Sequence, residues 1–475
     1  MSKSENSEQA KTRAESDSLG EIEVPDSSLW GAQTQRARLN FNFDSDRFPA
    51  RFIRSFALVK KAAALSNREL GQLEESQVDL IVQVCDEILQ GKHSDQFPLP
   101  VWQSGSGTQT HMNVNEVIAN RCNELAGHGR GTKAPIHPND HVNKAQSTND
   151  VFPTVMHLST CQALQDDLYP AIKRLLKDLE QKVNEFSAVI KTGRTHMMDA
   201  TPITLGQEFS AFHSQIEDWL RNLKNAELPL RNLAIGGTAV GTGLNTEPGW
   251  SATVCKNISE LSALEFSSAD NKFSQIAAHD ALVQLHGTIN GYACSLLKIV
   301  NDLRLMASGP RCGLHEIDIP ANEPGSSIMP GKVNPTQIES VSMICLRVMG
   351  NNLTVSLAGS QGQFQLNAYK PVIIHAVLES IQLLANASEN LSAFCLSGIK
   401  PNREQLDTYL NQSLMLVTAL NPEIGYDKAS KVAHHAYENE MTLRDAVIKL
   451  GFMSGERFDQ LVDPGQMLGH DKKTD

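Results

Sequence analysis

DALVQLHGTINGYACSLLKIVNDLRLMA, residues 280–307, is the segment that most constrains the fold of this chain. Its large apolar residues recur at alternating spacings of 3 and 4, a heptad seam that predicts one long helix. The rest of the segment carries little charge, so we expect this helix to be covered on several sides, and association of several chains is the favoured way. The seam consists of Leu282, Leu285, Ile289, Tyr292, Leu296, Ile299, Leu303 and Met306.

Four other segments have helical patterns, whereas β-strand alternation is rare and confined to short pieces of the first third of the chain. These patterns predict a mainly α fold with a long central helical bundle. The four segments are residues 154–189, with a kink or break at Pro170, and residues 207–226, 336–358 and 371–392.

The sequence divides into three parts after a polar start. Residues 1–18 are predicted to be a disordered tail, and residues 19–148 a mixed, mostly helical N-terminal domain. The long-helix bundle covers residues 149–399. Residues 400–475 are predicted to form a small C-terminal helical domain.

Composition indicates a soluble globular protein. The 475 residues are 40% hydrophobic and 20% charged, and the net charge of −12 disfavours nucleic acid as a partner. No stretch approaches the roughly 20 uninterrupted apolar residues of a membrane span. The first 18 residues carry four acidic side chains, so we expect neither a signal peptide nor an Arg-rich transit peptide and predict a cytoplasmic location.

The eight cysteines are scattered and none forms a C-x-x-C pair. Metal and iron–sulfur sites need closer ligand spacing, so we predict buried reduced thiols, no metal and no cofactor.

PGSSIMPGKVNP, residues 324–335, is the sharpest candidate for chemistry. Its prolines and glycines make a constrained loop that ends at the start of a helix. Asn334 suits the N-cap, Pro335 the first helical position, and Gln337 completes a capping box. A helix N-terminus beside Lys332 favours an anion site, and the hydroxyls of Ser326 and Ser327 lie close by in sequence.

Three more segments are rich in polar groups: residues 104–115 (SGSGTQTHMNVN), 137–150 (HPNDHVNKAQSTND) and 193–196 (GRTH). The first of them is no phosphate loop, because the lysine and hydroxyl of a Walker pattern are missing, and residues 330–333 fail the same test because valine follows the lysine. Residues 236–243 (GGTAVGTG) are glycine-rich but lack the dinucleotide-binding spacing and a leading strand, so tight turning or close packing is the better interpretation.

Together these segments resemble the aspartase/fumarase superfamily, most of all the class II, iron-independent fumarate hydratases. Residues 325–335 match its signature loop, and the resemblance covers nearly the whole chain after the tail. It continues through residues 30–36, 105–109, 137–140, 146–150, 193–196 and 271–273.

His196 separates two members of this superfamily. Fumarases have Gly-Arg-Thr-His at residues 193–196, whereas aspartate ammonia-lyases carry glutamine in place of the histidine. The alternatives are a lyase acting on aspartate or an argininosuccinate-like substrate, and a structural or binding protein that lost the chemistry. The second alternative is disfavoured because the residues expected to perform catalysis are all present.

The resemblance implies that proton removal beside a carboxylate gives an aci-carboxylate intermediate. It assigns Ser326 as the base, Lys332 as a donor to the developing charge, and His196, paired with Glu339, to the hydroxyl through a water. It also implies a homotetramer with active sites shared between subunits and no cofactor. The implied dicarboxylate-binding residues are Ser106, Gly107, Thr108, Ser147, Thr148, Asn149, Thr195, Ser327, Lys332, Val333 and Asn334.

The resemblance further implies a second anion site at His137, Pro138, Asn139 and Asp140. The usual arginine three residues before the histidine is Ala134 in this chain, with Lys133 beside it. His111 is another departure, because asparagine is common at that position.

Overall fold

The computed structural model describes residues 11–43 and 46–469, and these residues form a mainly helical fold. The helices of the first 262 residues are α1 (Ala32–Asn40), α2 (Ala50–Glu69), α3 (Glu75–Leu89), α4 (Thr108–Leu125), α5 (Thr148–Ala163), α6 (Tyr169–Glu185), α7 (Leu205–Glu227) and α8 (Trp250–Ser262). Those that follow are α9 (Lys272–Ala277), α10 (Asp280–Met306), α11 (Thr336–Gly359), α12 (Lys370–Phe394), α13 (Arg403–Gln412), α14 (Asn421–Ile424), α15 (Tyr426–Glu438), α16 (Leu443–Lys449) and α17 (Gly455–Leu461).

The predicted long helices are confirmed, with ends that differ by a few residues. The heptad segment is α10, and all eight residues of its seam are buried. The segment around Pro170 is two helices, α5 and α6, joined by a π-helical turn at Leu164–Leu168. Proline has no N–H to donate to residue i−4, which accounts for a widened turn at this point.

Short strands pair two by two. They are β1 (Thr12–Asp17), β2 (Gly20–Pro25), β3 (Ile190–Thr195), β4 (Met198–Thr204), β5 (Asn232–Leu233), β6 (Ser267–Ser268), β7 (Ile317–Asp318) and β8 (Lys400–Pro401). β5 and β6 are parallel, whereas β1–β2, β3–β4 and β7–β8 are antiparallel.

The predicted disordered tail is wrong for the part that can be compared. Residues 1–10 lie outside the described residues, but β1 pairs with β2 along its whole length. Glu15 is buried at the centre of β1, where it accepts hydrogen bonds from Arg13 and Asn120. The residues that stabilise this strand are charged and polar ones that pair with each other. From sequence alone, such a composition is typical of a disordered segment.

The β3–β4 hairpin corrects the expectation that strands are confined to the first third. Its register shifts between Thr192 and Arg194. A Cβ on the intervening Gly193 would lie 2.5 Å from the carbonyl oxygen of Thr201, so this close approach requires glycine. The bulge interrupts the period-2 pattern that identifies a strand.

The chain forms two compact units, each assembled from three segments. One contains the chain up to Leu168, Asn222–Gly291 and Arg347–Leu383; the other contains Tyr169–Arg221, Tyr292–Leu346 and Leu384 onward. In the first unit, α2 packs against α3, α5 and α8. In the second, residues 410–458 contribute a small separate hydrophobic core around Leu420, Val432 and Val447. The three consecutive domains predicted from sequence stay a prediction.

Two helical stretches of the described residues are long and apolar enough to cross a membrane: Thr336–Gly359 and Lys370–Gly398. The second is mostly buried inside the protein, as the core helix of a globular protein is. The first has an exposed apolar face. The predicted burial of the cysteines holds for six of the eight, because Cys294 and Cys312 are exposed.

Candidate functional site

A chain of hydroxyl groups lies at the N-terminus of α4. The Oγ of Ser106 is 2.9 Å from the Oγ of Ser104 and 2.7 Å from the Oγ1 of Thr108. Gly107, the N-cap, has φ +78°, and a Cβ there would lie 2.0 Å from the ring of Phe152. The loop therefore turns tightly against α5 and holds Ser106 and Thr108 half-buried, with hydroxyls that can bind a carboxylate.

The N-terminus of α5 presents Ser147, Thr148 and Asn149, all half-buried. Ser147 caps the helix through a capping box with Asp150, whose Oδ1 accepts the Ser147 N–H at 2.9 Å. The Oδ2 of Asp150 accepts the N–H groups of Gly236 and Thr238, each at 2.9 Å. Burial raises the pKa of Asp150 to about 6, against these hydrogen bonds. Gly236 and Thr238 therefore pack on the start of α5, and their two hydrogen bonds fix the first turn of this helix.

Lys60 joins these two helix starts and was missed from the sequence. Its Nζ lies 2.6 Å from the Nε2 of His111, and the Nδ1 of His111 lies 2.7 Å from the Oγ1 of Thr148. Both Lys60 and His111 are fully buried. A signal was available, because Lys60 continues the buried stripe of Phe52 and Phe56 at a spacing of 4, where a charge needs a partner.

Thr195 and His196 lie at the tip of the β3–β4 hairpin. His196 and Met197 have φ angles of +56° and +63°, which is the pattern of a tight two-residue hairpin turn. Thr195 and His196 are exposed. Among the described residues, no hydrogen bond joins His196 to Glu339 or to Ser326.

A buried ion network anchors this hairpin. Glu316 is fully buried and pairs with both Lys191 and Arg194 of β3. Lys191 also pairs with Glu208, and the Arg194 guanidinium lies 5.5 Å from the ring centroid of Tyr409. The network fixes the base of the strand that carries His196.

Glu316→Gln should destabilise the protein by about 3–5 kcal/mol, because it leaves two buried or part-buried cations with one carboxylate fewer. Unfolding in urea measures the loss, and kcat should fall with it as the hairpin loosens. Asp459→Asn is the matched control, since its bidentate pair with Arg444 is exposed and should barely matter. Equal shifts for the two variants would contradict the anchoring role.

The loop at residues 324–335 closes on itself. Asn334 donates from its side-chain amide to the carbonyl of Gly325, and the Gly325 N–H donates to the Lys332 carbonyl at 2.9 Å. The prediction that Asn334 caps α11 is wrong, because the first i→i+4 hydrogen bond of this helix runs from the Glu339 N–H to the Pro335 carbonyl, which places Pro335 at the N-cap position. α11 begins at Thr336, after Pro335.

Ser326 occupies a small cradle of backbone donors in this loop. Its Oγ accepts the N–H of Met329 at 2.9 Å and that of Ile328 at 3.3 Å. Donors aimed at an oxygen favour its anionic form. Ser326 lines an open cavity of about 420 Å³ together with Lys332 and Val333.

Lys332, Val333 and Ser327 are exposed on the same loop. Glu339, in the first turn of α11, accepts from the Nη2 of Arg304 at 3.4 Å, and both side chains are about half exposed. Lys332, Asn334 and Glu339 line a second open cavity of about 540 Å³. Cationic, amide and carboxylate groups thus line one open cavity where the loop joins α11.

The predicted second anion site is built around His137 at the start of a π-helical turn. The Nδ1 of His137 accepts the N–H groups of Asn139 and Asp140, each at 3.1 Å. Lys133, beside the position of the missing arginine, donates from its Nζ to the Ser16 carbonyl at 2.6 Å. The adjoining cavity of about 310 Å³ is lined by His137, Pro138 and Asn139 but also by Glu15, Asp17 and Glu116. Lys133 also lines this cavity, Glu15 and Asp17 are paired with Arg13 and Arg36, and the second anion site stays a prediction.

No group of three or more His, Cys, Asp or Glu side chains within residues 11–43 and 46–469 is arranged to hold a metal ion. Independence from metal stays a prediction for experiment.

Known proteins resemble this chain over nearly its whole length. Residues 20–350 match the family model described as Lyase, and residues 416–469 match that described as Fumarase C C-terminus. The chain is 53% identical over 458 residues to the class II fumarate hydratase of Thermosynechococcus vestitus, covering 96% of this chain and 98% of the relative. It is 52% identical to that of Nitrosomonas europaea, with 96% and 98% covered.

A solved structure has the same fold. The crystal structure of a recombinant class II fumarase from Schistosoma mansoni matches with a TM-score of 0.94 and 44% identity, covering 96% of this chain and 99% of that one. Full-length similarity at this identity, together with the serine loop and the His196 hairpin, means that the chain belongs to the class II fumarate hydratases, a family of hydro-lyases.

Proposed function

We propose that this protein interconverts fumarate and L-malate in the cytoplasm, without a metal, through Ser326 as the base. The observation that carries the proposal is the Ser326 cradle. A serine hydroxyl is a weak base at neutral pH, and the two N–H groups on its Oγ stabilise the alkoxide that a base requires. Lys332 adds positive potential from the same loop.

In the direction from malate, Ser326 takes a proton from the carbon beside a carboxylate. The electron pair moves into that carboxylate, which becomes a dianionic aci-carboxylate, and Lys332 and Asn334 hold the developing charge. His196, paired with Glu339, then delivers a proton through a water to the departing hydroxyl, and water leaves. Imidazole is the side chain that most often serves in proton transfers of this kind.

The remaining substrate contacts are proposed at the starts of α4 and α5. The donors there are hydroxyl, amide and backbone groups of Ser106, Gly107, Thr108, Ser147, Thr148 and Asn149. Thr195 adds a hydroxyl beside His196. Ser327 and Val333 contribute from the loop at residues 324–335 itself. Two helix N-termini also supply partial positive charge, which suits a dicarboxylate.

We propose that the active protein is a homotetramer whose sites are shared between subunits. His196, Ser327 and Lys332 are exposed in one chain, although alkoxide chemistry requires water to be excluded. α11 also exposes an apolar heptad stripe that lacks a cover: Met343, Leu346, Leu353 and Leu357 are each 57–65% exposed. Gly350 continues the stripe, and such a seam is typical of helix–helix association.

Leu353→Glu should dissociate the tetramer, since a charge in a packed helix seam has no partner. Sedimentation velocity should show species near the 52.0 kDa of one chain, with turnover lost in parallel. Leu19→Glu is the control, because Leu19 is 80% exposed in the turn between β1 and β2. A tetramer that survives Leu353→Glu with full activity would refute this interface.

The function is tested by adding malate to chelator-treated protein and following ultraviolet absorbance. Absorbance should rise as the double bond of fumarate forms, at the same rate before and after chelation. Aspartate in place of malate, with an ammonia assay, tests the alternative lyase. Release of ammonia without any response to malate would replace the proposed substrate, and loss of rate on chelation would overturn metal independence.

A further inference from the structure

Lys60, His111 and Thr148 are joined by two buried hydrogen bonds. Counting the protons on each group shows which atom donates and which accepts in both bonds. An ammonium group has three N–H donors and no acceptor. Lys60 has three acceptors within reach: the Nε2 of His111 at 2.6 Å, the Oδ1 of Asn143 at 3.0 Å and the Oε1 of Gln146 at 2.9 Å. Each donor is therefore used once, and the Nε2 of His111 must accept.

That requirement fixes the rest of the chain. A neutral imidazole that accepts at Nε2 carries its proton on Nδ1. The Nδ1–H then donates to the Oγ1 of Thr148 at 2.7 Å, so the Thr148 hydroxyl must point its own proton elsewhere. Thr148 is half-buried at the N-terminus of α5, whereas His111 is fully buried. The proton of Thr148 is thus available to a bound molecule.

We propose that His111 is a positioning residue for the hydration reaction, which makes the Thr148 hydroxyl a committed hydrogen-bond donor to a substrate carboxylate. The inference rests on the proposed role of Thr148 as a substrate contact. His111 itself touches no substrate. Its ring is held in place by stacking on Phe56, with centroids 6.0 Å apart and planes 19° apart.

The surroundings keep the chain in this state. Burial, and secondarily the charge of Lys60, hold the pKa of His111 well below its usual value, so the imidazole stays neutral. Burial also lowers the pKa of Lys60 to about 7, opposed by the Asp150 carboxylate on α5. The thiol of Cys85 on α3, which also faces Lys60, stays uncharged, because burial raises its pKa to about 12.

Deprotonation of Lys60 should allow the donor and acceptor roles of His111 and Thr148 to reverse. Neutral Lys60 keeps two donors for Asn143 and Gln146 and gains a lone pair that can accept from His111. The imidazole can then carry its proton on Nε2, and Thr148 can donate inward to Nδ1, which leaves only an oxygen facing the substrate. Carboxylate binding should therefore be strong below about pH 7 and weaken as pH rises through the pKa of Lys60.

Two substitutions of His111 each remove one of its two hydrogen bonds, to Lys60 or to Thr148. His111→Asn places an amide near the position of Nδ1, so it can reach Thr148 but not Lys60. His111→Gln places its amide near the position of Nε2, so it can reach Lys60 but not Thr148. Neither spans both partners, and each should weaken binding of a dicarboxylate about tenfold, the effect of losing an oriented donor to a charged acceptor.

The probe is succinate, a dicarboxylate that the enzyme cannot dehydrate, with binding measured by calorimetry from pH 6 to 9. His196→Asn serves as the background, because it removes the proposed catalytic imidazole from the measurement. We expect an about tenfold loss of affinity with rising pH in this background, and no such step once either His111 change is added. A purely structural role would lower the unfolding midpoint without removing the pH step.

Thr148→Val separates failure of this inference from failure of the proposed function. If Thr148→Val weakens succinate binding but both His111 variants keep wild-type affinity and pH dependence, the positioning role is refuted and the substrate contact stands. If Thr148→Val binds succinate normally, the contact and the positioning role both fail. Turnover of malate by the unaltered protein tests the reaction itself and does not depend on either result.

Discussion

Ser326→Ala should lower kcat for malate dehydration about 10³-fold, with a KM that changes little. A positioned general base contributes on the order of 10²–10⁴ in rate, and the alanine leaves every proposed carboxylate-binding group in place. The loss therefore falls on the transition state and not on substrate binding. Initial rates of absorbance change over a range of malate concentrations give both constants.

Ser327→Ala is the matched control for this variant. Ser327 is the next residue of the same loop and is exposed, whereas the Oγ of Ser326 receives two backbone N–H groups. We expect Ser327→Ala to raise KM several-fold with a small effect on kcat. Similar losses of kcat for both variants would mean that the loop as a whole, and not the Ser326 oxygen, carries the effect.

Hydrogen exchange at carbon distinguishes a base from a residue that only orders the loop. In deuterated water, a competent base exchanges the malate C–H proton whenever the aci-carboxylate returns to malate. His196→Asn should retain some of this exchange while losing dehydration, because proton removal at carbon precedes loss of the hydroxyl. Ser326→Ala should lose both. Exchange that persists in Ser326→Ala would move the base elsewhere.

The long helices could be predicted because their signal is local. The apolar seam of α10 repeats within one segment. Burial of its residues, from Leu282 to Met306, can therefore be predicted without knowing which elements pack against them. β1 was missed because Glu15 is buried against Arg13 and Asn120, and paired charges look like solvent-exposed ones in a sequence. The β3–β4 hairpin was missed because the bulge at Gly193 disrupts alternation.

Part of the candidate site could likewise be predicted from the sequence, and part could not. Its loops are recognisable as chemistry because Gly, Ser and Pro cluster where helices begin, and the resemblance supplies residue roles. The Lys60–His111–Thr148 chain has no such signal, since its members are 51 and 37 residues apart and meet only through packing of α2, α4 and α5. His111 was visible as a departure from the family, but its effect required the contacts of its two ring nitrogens.

Mixing two inactive variants should restore activity if sites are shared between subunits. Ser326→Ala and His196→Asn each remove one proposed catalytic group. When equal amounts are refolded together into tetramers, a site that takes Ser326 from one subunit and His196 from another is intact with a chance of about one in four. Activity should therefore recover to about a quarter of that of the wild type.

A second mixture decides between shared and unshared sites. In it, one variant carries both Ser326→Ala and His196→Asn and is refolded with wild type. The double variant refolded with wild type should also give about a quarter of full activity if the two groups come from different subunits, because each is intact in half of the positions. If both groups came from one chain, the separate variants would give none and the double variant about half. That contrast does not depend on the rate of either mutant. Recovery in the first mixture would also explain why His196 makes no hydrogen bond to Glu339 within the described part of one chain: its partner lies in a neighbouring subunit.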